Sequence, residues 1–236
     1  MADVLLVHGS CHGAWCWRDL LPALAAYGHE VRTIDLPGHG KNAAPVEEIT
    51  LDAYARAIAG ACRGDTMLVG HSLGGYSITA AAEIAGSKIA KLIYLCAYVP
   101  VPGKTLSQMR HMAPRQPLLA AIDLADDRKS FTVNPDKAVE VFYHDCDPAT
   151  ATWAVQHLCP QTIAPSEQVV DLTEASASLP RRYIRCLDDR TIPPEFQITM
   201  TENWPAGHVQ DMTCGHSPFL ADPEGLAQVL DRAIRS

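Results

Sequence analysis

Thr66-Met67-Leu68-Val69-Gly70-His71-Ser72-Leu73-Gly74-Gly75-Tyr76 is the stretch from which the rest of the chain can be read. Residues 66–69 form a short apolar run, the pattern of a buried strand. Residues 73–85 are Ala-rich and apolar on most sides, which predicts a buried helix. Between them lies Gly70-x-Ser72-x-Gly74. A bare GxSxG is a weak signal, but a strand before it and a helix after it give it mechanical meaning. The turn has to be sharp to lift the serine hydroxyl above the sheet edge. Glycines two residues to either side let the crossing backbones approach. The helix that follows presents free N–H groups and a positive dipole end, where a developing oxyanion is stabilised. A phosphate-binding loop would carry Lys after the last glycine, and Tyr76 stands there instead.

Working outward, strands and helices alternate on both sides of this turn. Residues 4–7 and 30–34 read as strands, 17–27 and 51–61 as helices, and 91–97 as the next strand. The pattern resumes with a strand at 182–187, a helix after Pro194, a short strand at 208–212 and a last helix from Asp222-Pro223. Such alternation predicts an α/β fold with a mostly parallel central sheet and helices on both faces. Between Val101 and Leu179 the pattern changes. That segment holds one of the 15 glycines, and Asn134-Pro135 and Asp147-Pro148 each place a capping side chain before a proline at the first helical position. It reads as a helical cap (101–179) inserted between core segments 1–100 and 180–236, the whole forming one structural domain.

The composition narrows the function. A chain of 236 residues that is 47% hydrophobic has material for one sizeable core. A net charge of −8 argues against nucleic acid or an anionic membrane as partner. No basic leader or membrane-length apolar run is present, so a cytoplasmic protein is expected. The eight cysteines form no CxxC pair and read as reduced, mostly buried thiols. Cys214 and His216 have no second pair at ligand spacing, so neither a metal nor a cofactor is expected.

Folds that carry a nucleophilic serine on this turn take an Asp or Glu and then a His after it, on loops at the same sheet edge. Of the five histidines beyond the helix that follows Ser72, three (111, 144 and 157) fall in the cap segment, and His208 lies in or beside a strand. His216, in Thr213-Cys214-Gly215-His216-Ser217-Pro218, sits where the base belongs. The acid should follow the 182–187 strand, where Asp188 and Asp189 are adjacent; Asp35 precedes the serine and Asp211 is too close to the final strand. His8-Gly9-Ser10, after the first strand, occupies the position of the second oxyanion donor, which assigns those donors to the N–H groups of Ser10 and Leu73. His8, His12, Trp15 and Trp17 read as structural.

Taken together, Val7-His8-Gly9-Ser10-Cys11-His12-Gly13-Ala14-Trp15, Gly70-His71-Ser72-Leu73-Gly74-Gly75, Asp189 followed by Ile192-Pro193-Pro194-Glu195-Phe196-Gln197, and Gly215-His216 resemble one branch of the α/β-hydrolase superfamily. That branch comprises plant methylesterases, salicylate-binding methylesterases included, and hydroxynitrile lyases, together with bacterial carboxylesterases. The resemblance spans nearly all the core and is weak in the cap. It implies an α/β-hydrolase core, a small helical lid, no cofactor, and Asp189 as the acid. Hydroxynitrile lyases of this branch place Thr or Asn where Gly9 stands, and one group has Lys where Ser217 stands. Gly9 and Ser217 supply neither function, which favours ester hydrolysis.

The expected reaction is therefore hydrolysis of a small-to-medium hydrophobic carboxylic ester through an acyl-enzyme on Ser72, with cyanohydrin cleavage or small-molecule reception as alternatives. Met109, Met112, Phe131, Phe142, Trp153 and Leu158 are the candidate apolar lining of the substrate pocket. The expected partner is the small-molecule ester itself, and a homodimer is compatible with the sequence.

Overall fold

Alternate residues of β1 (Asp3–Val7) point to opposite faces of the sheet, and each set lands in a different hydrophobic core. Val4 and Leu6 join one cluster, while Leu5 and Val7 join the other. The same division runs along β3 (Thr66–His71), where Leu68 and Val69 part to opposite sides. A strand buried on both faces needs cover on both, and the computed structural model, which describes residues 1–236, supplies it.

Before β3, the chain runs from β1 through a 3-10 turn at Ala14–Trp17 into α1 (Leu20–Ala25), then β2 (Glu30–Ile34) and α2 (Leu51–Ala61). After β3 come α3 (Gly74–Ala85) and β4 (Ile89–Leu95). The next stretch carries α4 (Leu106–Met112), β5 (Ile122–Leu124), β6 (Ser130–Val133), α5 (Pro135–Phe142), α6 (Pro148–His157), β7 (Gln161–Thr162) and α7 (Glu174–Ala177). The chain ends with β8 (Arg181–Cys186), α8 (Pro194–Thr201), β9 (Val209–Met212), α9 (Pro218–Ala221) and α10 (Pro223–Arg235).

Six strands form one sheet in the order β2-β1-β3-β4-β8-β9, and every neighbouring pair is parallel. Leu20 and Leu24 of α1 and Leu226 and Leu230 of α10 cover one face; Tyr54 of α2, Tyr76 of α3 and Phe196 of α8 cover the other. The last carbonyls of α10 have no partner within the helix. Lys91 Nζ donates to Ala233 O and Ile234 O at 2.9 Å each, and so pins that helix to β4. Because all strands run the same way, the loops after β1, β3, β8 and β9 gather at one edge of the sheet.

The 101–179 segment departs from the helical reading. α5 and α6 begin as their caps predict: Asn134 accepts the Asp136 N–H, and Asp147 accepts those of Ala149 and Thr150. Before and after them, however, β5, β6 and β7 pair as a three-stranded antiparallel sheet. These strands have three, four and two residues, too few for a two-residue alternation to stand out in the sequence. Phe131 and Val133 of β6 turn inward, and Thr132 between them is exposed. No helix of the protein is long and apolar enough to cross a membrane.

Candidate active site

Ser72 sits between β3 and α3 with φ of 55°, in the left-handed region that non-glycine residues seldom occupy. The surroundings hold it there. Its N–H donates to Leu95 O at 3.2 Å, and its carbonyl accepts the N–H groups of Gly75 and Tyr98 at 3.1 Å each. The flanking glycines are required for clearance: a Cβ on Gly70 would lie 2.6 Å from Gly74 O, and one on Gly74 would lie 2.9 Å from Val7 O. The sharp turn read from the sequence is thus a crossing of backbones that no side chain could enter.

Ser10 and Leu73 both line a small cavity at Ser72, of about 20 Å³. Neither backbone N–H has an acceptor within the protein. Two unpartnered amides beside a serine hydroxyl can receive a developing negative oxygen. The loop bearing Ser10 is held by histidines, as its sequence suggested. His12 Nδ1–H donates to Ser10 O at 2.7 Å, and its Nε2 accepts the Tyr143 hydroxyl at 2.8 Å. His8 Nδ1–H donates to Gly9 O at 2.8 Å, and Nε2 accepts the Leu36 N–H at 3.1 Å. Burial holds both rings neutral: His8 is pushed well below an ordinary imidazole, and His12 down to about 3.

His216 lies in the loop between β9 and α9, and Asp189 in the loop after β8. His216 Nδ1–H donates to Asp189 Oδ2 at 2.8 Å. The carboxylate is only 2% exposed, so its charge needs donors, and it has four. Thr191 and Ile192 N–H reach Oδ1 at 2.7 and 2.9 Å, and Gln197 Nε2 reaches Oδ2 at 2.9 Å beside the imidazole. Asp188 is exposed and its N–H donates to Cys214 O, so the structure brings Asp189, not Asp188, to the ring. The remaining imidazole nitrogen, Nε2, is free, and the Ser72 hydroxyl forms no hydrogen bond in this rotamer. Phe142 stacks on the imidazole with centroids 5.7 Å apart. The His216 carbonyl accepts from His71 Nε2 at 2.8 Å and from Cys96 Sγ at 3.6 Å. Burial also takes His71 well below the usual imidazole range.

Two contributors carried no assignment from the sequence. Gln197 is locked by accepting the Cys186 N–H at 3.0 Å and donating to Ile192 O at 2.8 Å, which aims its amide at Asp189. Its only sequence signal was its place in the Pro-Glu-Phe-Gln stretch. Asp145, on the turn between α5 and α6, accepts the Gly215 N–H at 2.5 Å and so ties the 101–179 segment to the His216 loop. A Cβ on Gly215 would lie 2.5 Å from His144 Cε1 and 2.6 Å from Asp145 Oδ1.

The pocket lining is where sequence and structure part. Of the six apolar candidates only Phe131 faces the cavity at Ser72, with Tyr98, Leu106, Arg110 and Leu118 beside it. An adjoining cleft of about 220 Å³ shares Arg110, Phe131 and Ser166 and adds Leu119, Ile122, Leu124 and Ile163. Met109 is buried in the core with Leu106 and does not line the cavity, and Met112 is 55% exposed. Phe142 packs on His216. Trp153 stands edge-on to Trp15 with Arg18 over its ring, and Leu158 packs on the core at the segment's far side. Most large apolar side chains of this segment pack it against the core rather than line the cavity.

A model of the alpha/beta hydrolase family matches residues 4–229. The chain is 31% identical over 242 residues to a carbendazim hydrolyzing esterase of a Nocardioides species, covering 98% of each. It is 28% identical over 251 residues to methyl jasmonate esterase 1 of Vitis vinifera, covering 98% of this chain and 96% of that one. The crystal structure of a pyrethroid hydrolase from Sphingobium faniae superimposes with a TM-score of 0.86 at 27% identity, covering 100% of this chain and 98% of that one.

Proposed function

Because this chain belongs to the alpha/beta hydrolase family and is a carboxylic-ester hydrolase, we propose that it works through an acyl-enzyme on Ser72 and takes a small-to-medium ester with a hydrophobic body. The observation that carries the reading is a convergence at one sheet edge: a serine on a left-handed turn, two unpartnered amides, and a buried Asp189–His216 pair.

In this reading the Ser72 hydroxyl turns to His216, whose Nε2 takes its proton as Oγ attacks the ester carbonyl. The Ser10 and Leu73 N–H groups hold the oxyanion, and Asp189 stabilises the imidazolium. The alcohol leaves with the proton from Nε2, and Ser72 remains acylated. Water then attacks the acyl carbon with His216 again as base, and the acid departs. Leu106, Leu118 and Phe131 at the cavity, with Ile122 and Ile163 beyond, suit an apolar body. The eight free thiols fit a cytoplasmic setting.

Cyanohydrin cleavage fits less well. A Cβ on Gly9 would lie 2.8 Å from Ser72 Cβ, so this backbone has no room for a side chain to hold a substrate hydroxyl. Ser217, buried and uncharged, offers no cation to departing cyanide. The test combines p-nitrophenyl esters of increasing chain length, mandelonitrile, and a fluorophosphonate probe on wild type and Ser72→Ala. Ester turnover and labelling that both vanish in Ser72→Ala are expected. Equal labelling of both proteins would remove Ser72 from the mechanism, and rapid benzaldehyde release with negligible ester turnover would replace the reaction.

A further inference from the structure

The route to Ser72 carries a cation, Arg110, that forms no ion pair. Arg110 lies on α4 one turn after Leu106, and both face the cavity at Ser72. Arg110 also lines the outer cleft, so it stands where the two join. Its helix is firmly set: Thr105 Oγ1 accepts the Gln108 N–H, and Gln108 Oε1 accepts the Thr105 N–H. The Nε–H of Arg110 is buried without any acceptor. A guanidinium in an apolar wall usually pairs with a carboxylate, because leaving its donors unmade is costly.

None of the neighbouring acids pairs with it. Arg115, five residues on, takes Glu195 at 2.8 Å. Asp189 carries its four donors. Glu167, at the mouth of the same cleft, is exposed, accepts the Ser107 hydroxyl and forms no ion pair. Arg110 therefore stands on a firmly set helix with free donors, and lines the cavity of the reacting centre together with Leu118 and Phe131.

We propose that Arg110 selects esters whose hydrophobic body carries an anionic group, a carboxylate above all, held where the cavity opens into the cleft. The proposal rests on the ester-hydrolase reading and narrows its substrate class. A planar, bidentate fork is the side chain best matched to a carboxylate.

The test measures kcat/KM by pH-stat on two matched pairs of esters. Monomethyl suberate against methyl octanoate places the charge on the acyl side; 6-acetoxyhexanoate against hexyl acetate places it on the alcohol side. For at least one pair, wild type should prefer the charged ester, and Arg110→Gln should lower the charged-to-neutral ratio by roughly tenfold or more. Arg110→Lys should retain part of the preference, and Arg110→Met, which keeps most of the side-chain volume, takes the place of Arg110→Gln if that variant does not fold. A ratio unchanged by loss of the guanidinium in both pairs overturns the proposal and leaves the ester-hydrolase reading standing. Wild type that turns over p-nitrophenyl esters but none of the four overturns the proposal alone; wild type that hydrolyses neither set sinks both readings.

Discussion

Asp189→Asn changes one atom in a site where four hydrogen bonds depend on that atom's kind. Oδ1 accepts Thr191 and Ile192 N–H at 2.7 and 2.9 Å, and Oδ2 accepts Gln197 Nε2 and His216 Nδ1 at 2.9 and 2.8 Å. An asparagine that keeps the first two bonds turns its NH2 toward two donors. Gln197 cannot reverse to receive it, because its Oε1 already accepts Cys186 N–H and its Nε2 already donates to Ile192 O. The imidazole must then present Nδ1 as acceptor and carry its proton on Nε2, where a base is needed. The charge is lost as well. At 2.8 Å a carboxylate and an imidazolium attract by about 6 kcal/mol at an effective dielectric constant of ~20. Losing most of that in the transition state lowers kcat by roughly 10⁴. The assay is steady-state hydrolysis of a p-nitrophenyl ester, with circular dichroism to check the fold. Asp188→Asn, on an exposed neighbour, serves as control and should stay within about threefold of wild type. If a folded Asp189→Asn retains turnover within tenfold of wild type, the hydrogen-bond reasoning is wrong.

Gly9→Ala would bring a methyl group to 2.8 Å from Ser72 Cβ and 2.9 Å from His71 Nδ1. Overpacking of this kind costs about 1–3 kcal/mol, so melting should fall by roughly 3–10 °C and turnover at least tenfold; an unchanged melt and rate would mean the loop yields freely. His8, His12 and His71 are held neutral by burial, with His12 down to about 3, whereas the unfolded chain protonates them near ~6.5. Unfolding therefore takes up protons below that pH: the stabilisation is complete above about pH 6.5 and is lost as pH falls toward 3. Denaturant midpoints at pH 7, 6 and 5 should decline steadily, with up to three protons taken up by these rings, and a flat series over that range would contradict their neutrality.

Much of this was legible because it is local. The turn at Ser72, the Gly9 loop and the Gly215-His216 loop are each defined by glycines a residue or two from the reacting group, and glycine announces backbone approach in the sequence itself. The parallel sheet followed from alternation over stretches long enough to show a period. Asp188 and Asp189 could not be separated by local pattern, because the choice depends on where Gln197 and the Thr191 and Ile192 amides lie in space. The pocket was less legible still. Met109 and Arg110 are adjacent, yet on a helix they diverge by ~100°, and apolarity alone does not say which faces the substrate. Asp145 reaches Gly215 across 70 positions, and nothing near either residue in the chain foretells the contact.

The tie between Lys91 and the last carbonyls of α10 gives the molecule a practical property. Ser10 and Ser72 belong to the first third of the chain, while Asp189 and His216 lie on the loops after β8 and β9, which extend the sheet beyond β4. A chain still emerging from a ribosome, or one that has collapsed without docking its carboxyl-terminal third, holds a serine with no activated partner. Covalent capture of Ser72 would then count finished molecules and pass over unfinished ones, so the fraction labelled in a preparation is a census of complete folding rather than of protein mass.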